Sequence, residues 1–315
     1  MTRVDRIAEQ KLWESLNTKT KRGAMALMDN VIFQDGRAFS TETGEEVTHL
    51  VDVSLKTTGE QVRALEGIDE LTKHEIENGK FIFMFFKTLS TMEERFPALT
   101  KQDTARLLYL ATFIAWETGR LQSDNGKKHY IKKDVERMVE MSTKRFNEFF
   151  KRLEQEDILH EAGTGELFIN PTVFYRGKLA SNLFDISNLE YTRLFRTTIR
   201  NLYQEFKGRK LAQLAVVYSV IPFLSLHYNI VCHNPKETSE DLIEPMELSE
   251  LATVLGYVDA SSLKRSLNRI KVEGKPVFAF VENPHDRRTY RIIVNPRVVY
   301  AGGAESLRAI KALFN

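Results

Sequence analysis

In the middle of the chain the apolar positions fall at helical spacing three times in succession. Thr100 and Asp103 are the residue types of a reciprocal helix cap, and Ala105, Leu108, Tyr109, Thr112, Phe113 and Trp116 continue at intervals of three and four, which is one face of a first helix. After the polar turn SDNGKK, the residues Ile131, Val135 and Met138 mark one side of a brief second helix within Ile131–Met141. Ser142 is a residue type that caps a third, STKRFNEFFKRLEQE, with Phe146, Phe149, Phe150 and Leu153 as its apolar stripe. The next segment, ILHEAGTGELFIN, sets two short apolar runs around Gly-Thr-Gly and predicts a β-hairpin.

The chain then repeats itself. LFINPTVFYRG (Leu167–Gly177) is echoed by IIVNPRVVYAG (Ile292–Gly302) at an offset of 125, superposing two Asn-Pro pairs, two tyrosines and two glycines. Upstream, an ungapped offset of 117 pairs Ile131 with Leu248, Val135 with Ala252, Met138 with Leu255, Met141 with Val258, Phe146 with Leu263, Phe150 with Leu267 and Leu153 with Ile270. Such agreement predicts a structural duplication with eight more residues after the last helix of the second copy, as a surface hairpin tolerates. The second copy offers an apolar helix near Arg209–Leu224, a short one in LSELATVLGY, a third in ASSLKRSLNRIKVEG and a hairpin in VFAFVENPHDRRTYRIIVN. A short helix, a tight turn, a longer helix held by one apolar face and a terminal hairpin make a winged helix. The predicted class is therefore mainly α with small β-hairpins (α+β), as two tandem winged-helix domains at 91–180 and 181–302. They follow an N-terminal extension at 1–90, and a C-terminal helix at 303–315 ends the chain. The Asn-Pro pairs are expected to end the hairpin strands and turn the chain outward.

A helical wheel of the third helix in the first copy, with Phe146, Phe150 and Leu153 inward, turns Lys144 and Lys151 outward, flanked by Arg145, Asn147 and Arg152, with Glu148 on the same face. In the second copy Ser261, Arg265 and Asn268 point out beside Ser262, Lys264 and Arg269, and between Ser261 and Lys271 there are four basic residues and no acid. Arg pairs with guanine and Asn with adenine in bidentate fashion, whereas Lys mostly neutralises phosphate, so the second of these helices is the better candidate base reader. The longer hairpin adds His285, Arg287, Arg288 and Arg291, which suit the DNA backbone or a minor groove. The bland reading is that these are solvated helix faces.

Composition narrows the remaining classes. The 315 residues are 42% hydrophobic and 28% charged with 8 Pro and 16 Gly, which describes a folded, helix-rich protein long enough for two or three domains. Forty-five Lys and Arg against 43 Asp and Glu leave a net charge of +2, so any case for a polyanionic partner must be local. Cys232 is the only cysteine, which excludes an internal disulfide and fits a packing residue in a reducing compartment. The segment Leu211–Asn234 lacks formal charge but is interrupted by Pro222 and polar residues, and reads as a buried helix and loop rather than a membrane span.

At the ends, MTRVDRIAEQKLW lacks the apolar core of a leader. Residues 1–90 also hold KTKRG (Lys19, Lys21, Arg22), read as a solvated loop or a phosphate-touching arm, an apparent hairpin in VIFQDGRAFSTETGEEV and the apolar run FIFMFF. The terminal helix must pack Leu307, Ile310, Leu313 and Phe314 somewhere, and a homodimer is one option. No GxxxxGK[ST] phosphate loop, HExxH motif or His-hydrophobic-His pair occurs, and His227 and His233 flank Cys232 without further obvious ligands. The expectation is a non-enzymatic protein without cofactor or metal.

The tandem arrangement over about residues 90–302 resembles the plasmid and phage replication initiators that bind repeated origin sequences with two winged-helix domains, and INPTVFYRG is similar to strings that close the wing in replication proteins of plasmids from Gram-positive bacteria. That resemblance implies sequence-specific binding of double-stranded DNA, recruitment of host replication proteins, no bond chemistry, and a cytoplasmic, nucleoid- or plasmid-associated location. A transcriptional regulator of a mobile element would use the same fold, and winged helices also serve as protein-docking modules, so fold alone does not separate these.

Overall fold

A computed structural model describes residues 18, 30–34, 37–46, 70–179, 189–283 and 286–314. Two units divide the chain, Met1–Val62 and Arg63–Asn315. The first contains the predicted hairpin, β1 (Val31–Gln34) paired antiparallel with β2 (Arg37–Ser40) in the register Val31↔Ser40 to Gln34↔Arg37. Lys19, Lys21 and Arg22 lie outside the described residues.

The second unit is α+β, with helices around small antiparallel sheets. Its first run is β3 (Phe81–Phe85), α1 (Met92–Arg95), α2 (Lys101–Ala111), α3 (Lys132–Met138), α4 (Thr143–Gln155), a hairpin of β4 (Leu159–Glu161) and β5 (Leu167–Ile169), and β6 (Phe174–Tyr175). Its second is β7 (Tyr191–Phe195), α5 (Arg196–Phe206), α6 (Leu211–Val220), α7 (Leu248–Val254), α8 (Ala260–Asn268), the short pair β8 (Lys271–Val272) and β9 (Lys275–Pro276), the long hairpin β10 (Phe278–Asn283) and β11 (Asp286–Val294), and β12 (Val299–Tyr300). Helix α9 (Ala304–Ala312) follows.

Local chemistry accounts for these elements. Thr100 and Asp103 form the expected reciprocal cap, Asp103 N–H donating to Thr100 Oγ1 at 3.2 Å and Thr100 N–H to Asp103 Oδ2 at 3.0 Å. Helix α6 packs against α2, α5 and α8, which is why the stretch beginning at Leu211 needs no charged face: Leu214, Val217, Tyr218 and Val220 are buried on every side. Among the described residues no helix is long and apolar enough to cross a membrane.

The two runs match in their hydrogen bonds. Gly119 C=O accepts from Ile169 N–H at 2.9 Å and Asn229 C=O from Val294 N–H at 3.0 Å, while Leu121 N–H donates to Leu167 C=O at 2.8 Å and Val231 N–H to Ile292 C=O at 2.9 Å. Gly119 and Asn229 both have positive φ, +73° and +55°, so one turn is met by glycine and then by asparagine, the two types that enter this region most readily.

The shared NPxVxYxG string is a strand-end latch. Asn170 and Asn295 donate backbone N–H to Ile158 and Val277 C=O, both at 2.8 Å, and side-chain Nδ2 to Asp157 and Pro276 C=O at 2.9 and 3.0 Å. Their Oδ1 atoms accept from Thr172 and Arg297 N–H at 3.0 Å each. A Cβ at Gly177 would stand 2.5 Å from Tyr175 Oη, and one at Gly302 would stand 2.7 Å from Tyr300 Oη, so each tyrosine requires the bare backbone two residues on. These asparagines end the hairpin as expected.

At the centre lies a four-stranded sheet in the order β12-β7-β3-β6. Strands β3 and β7, 110 residues apart, pair antiparallel with Phe81 opposite Phe195, Phe83 opposite Arg193 and Phe85 opposite Tyr191. Equivalent residues are thus exchanged across the pair, which sets a local two-fold axis between Phe83 and Arg193, as in an isologous interface. The outer pairings agree, Phe83↔Tyr175 with Arg193↔Tyr300 and Met84↔Phe174 with Leu194↔Val299.

Two sequence expectations need correction. The second helices are capped by Asp134 on Ile131 N–H (3.3 Å) and Glu250 on Glu247 N–H (2.9 Å), an offset of 116, so Val135 corresponds to Leu251 rather than Ala252. The offset of 117 begins only at the third helix, because the second copy has one more residue in the turn before it. The eight extra residues of that copy do not all enter its long hairpin: Ile158 N–H bonds Leu153 C=O and Val277 N–H bonds Ile270 C=O, so two are taken up by the β8–β9 turn and six by β10–β11.

Candidate nucleic-acid interface

Helix α4 buries Phe146, Phe149, Phe150 and Leu153 and α8 buries Leu263 and Leu267, leaving the opposite faces to solvent as the periodicity requires. On α4, Lys144, Arg145, Asn147 and Lys151 are exposed, and Glu148 is exposed among them. Arg152 differs: its Nε donates to Asp103 Oδ2 at 2.9 Å, and that carboxylate is only 1% exposed. Arg152 is therefore committed to the charge of a buried cap, in which Arg106 also takes part at 3.5 Å. Its aspartate partner stands 49 positions away, beyond anything a single-helix wheel reveals.

On α8, Ser261, Arg265, Asn268 and Arg269 are exposed. Asp259 caps the helix, accepting from Ser262 N–H at 2.7 Å and from Ser262 Oγ–H at 3.0 Å; these hydrogen bonds hold its carboxyl below the usual range. Ser262 is thereby a capping partner first. Arg265 lies along its own helix, donating to Ser261 C=O at 3.3 Å and Ser262 Oγ at 3.2 Å, so its guanidinium sits on the exposed face. Lys264 turns to the long hairpin instead, with Nζ 3.9 Å from the ring centre of Tyr290 and 5.3 Å from that of Phe280. Such cation–π contacts join helix and hairpin, a role the helical wheel missed because the rings lie on later strands.

Of the hairpin residues, Arg287 and Arg288 fall within β11, and His285 lies outside the described residues. Arg291 pairs with Glu240 at 3.5 Å. Both line a cavity of about 790 Å³ between the hairpin and α9, together with Ile230, Val281, Ile293 and Ile310. Cys232 is buried, and burial pushes its thiol up to about 11. His233 contacts Glu250 at 3.0 Å, and among the described residues no group of three or more His, Cys, Asp or Glu side chains forms a metal-binding cluster.

The two copies are also clamped together by charge. Arg196 and Arg200 of α5 reach the first copy: Arg196 Nε donates to Thr112 C=O at 2.7 Å, Arg200 Nε to Thr112 Oγ1 at 2.9 Å and Arg200 Nη1 to Asp124 Oδ2 at 2.6 Å, with Arg196 also on Asp124. The Arg200 hydrogen bond is the largest influence bringing Asp124 down to about 2, and burial brings Arg196 down to about 10. Comparison of the chain with family models, curated proteins and solved structures finds no match.

Proposed function

We propose that the chain is a sequence-specific double-stranded DNA-binding protein built of two winged-helix units, acting as a replication initiator on repeated origin sites of a plasmid or phage and without bond chemistry of its own. The observation that carries this reading is the split character of α4 and α8, each anchored by a buried apolar face, with α4 baring Lys144, Arg145, Asn147 and Lys151 and α8 baring Arg265 and Asn268 on the other. The bridges Arg120↔Phe168 and Ile230↔Ile293, which join the segments at 120–122 and 230–232 to the last hairpin strand, support this reading, since a winged helix sets a strand between its first and second helices. Helix α8 with β10–β11 is the principal reader, and α4 chiefly holds phosphate.

Titration of a random-sequence duplex and of a duplex selected from a random pool tests this. Affinity for both should fall steeply between low and moderate salt, as phosphate neutralisation demands, with the selected duplex retained longer. Binding indifferent to salt, or no duplex binding beside tight capture of a protein, overturns the proposal. Loss of plasmid or phage replication on deletion distinguishes an initiator from a promoter-bound regulator.

A further inference from the structure

Val258 is 97% exposed, the barest of the exposed large aliphatic side chains among the described residues. Its position has a specific origin. Helix α7 ends at Val254, Gly256 turns the chain at φ +71°, and Tyr257 folds back against the core with its N–H on Ala252 C=O at 2.8 Å and its Oη 3.2 Å from Ser266 Oγ. In the first copy Met141 takes the place that Tyr257 takes here, packed on the core, and the next residue, Ser142, already precedes α4. The second copy inserts Val258 between that packed residue and the helix cap Asp259. The side chain contributes almost nothing to folding, since it buries almost no surface.

The place of this valine supplies a use. It precedes the cap Asp259 at the N-terminus of α8, the end of a recognition helix that meets base edges, and the exposed Ser261 and Arg265 follow three and seven residues on. Of the groups a B-form duplex displays in its major groove, the C5-methyl of thymine is the one that projects as an apolar contact. We propose that Val258 reads a thymine 5-methyl group at the edge of the α8 half-site. This inference rests on the DNA-binding reading above and adds to it a specificity-determining contact that the first copy lacks.

The test uses the full chain and the duplex it selects from a random pool, with each thymine replaced in turn by deoxyuridine, which removes the methyl group and nothing else. One or two replacements should weaken binding by the unaltered protein about three- to tenfold, the scale of one buried methyl or methylene group, and should leave Val258→Ala unaffected, the two changes being non-additive. The exposed position makes Val258→Ala neutral for folding, which a thermal melt verifies. Equal responses of the two proteins at every thymine, as expected if Val258 serves a protein contact, overturn the proposal while leaving DNA binding intact. Failure to select any duplex overturns both.

Discussion

On α4 the exposed row carries Glu148 and Glu154 beside Lys144 and Lys151, whereas α8 and its flank to Lys271 carry four basic residues and no acid. The outer faces of the two hairpins differ as well. Around β4–β5, Arg120 and His129 meet Glu166 at 3.2 and 2.6 Å and His160 stacks on Phe168. At the matching places the second copy has Ile230 and Ile293, buried in one cluster with Leu307, Ile310 and Phe314 on and just after α9. What both copies retain is the apparatus of folding: the anchored third helix, the asparagine latch, the tyrosine over glycine. What differs is the exposed charge and the flank of the hairpin, so under the proposed function the second copy is the one expected to discriminate between duplexes.

The largest effects should be common to both copies. Phe150→Ala and Leu267→Ala should each lower unfolding free energy by about 2–5 kcal/mol in urea titrations, and a cost under about 1 kcal/mol in either would break the claim that both helices are anchored alike. Duplex binding should then separate them. Arg265→Ala should cost about 1–3 kcal/mol at particular base pairs of the selected duplex, and Lys151→Ala should weaken all duplexes alike while lowering the salt slope by about one. Arg152→Ala should reduce stability and spare affinity, because its partner is the buried Asp103. Equal, sequence-independent losses for Arg265 and Lys151 would erase the distinction between a reading and a holding helix.

Next come the latches. Asn295 is fully buried and Asn170 partly exposed, so Asn295→Ala should cost about 1–3 kcal/mol and Asn170→Ala less, since water reaches the carbonyl left behind. The smallest effect concerns the clamp between copies. Asp124 is held at about 2 against an ordinary 3.8, so its contribution is present in full above its unfolded value and is lost as pH falls from about 4 to about 2. With the carboxylate 56% exposed, solvent screening keeps that contribution below about 1 kcal/mol. Asp124→Asn should flatten the acid limb of stability in that window.

Much of this was legible in the sequence because periodicity and the doubled NPxVxYxG string report directly on buried faces and tight turns. Helix α4, both hairpins and the reciprocal cap at Thr100 fall where the pattern sets them, whereas α8 starts with its segment but ends at Asn268, the remainder turning into β8. The register of α7 was not legible: Leu248, Leu251, Ala252, Val254 and Leu255 are apolar together, so two registers fit equally and the inserted Val258 leaves no trace in the pattern. Nor did FIFMFF reveal itself as the counterpart of YTRLFR, because one strand carries aromatics where the other carries Arg193 and Arg196. Their equivalence emerges only when they pair with each other. The commitments of Arg152 and Lys264 depend on residues distant in the chain, which a helical wheel does not contain.

Cleavage by a tethered iron chelate tests most directly whether both third helices meet the duplex. Attached to Ser261→Cys or, separately, Lys144→Cys, the chelate labels one site in each protein, since the native Cys232 is buried. Two distinct patches of strand scission on the selected duplex, one from each position, are predicted. Scission from neither position above that of free chelate would contradict the account.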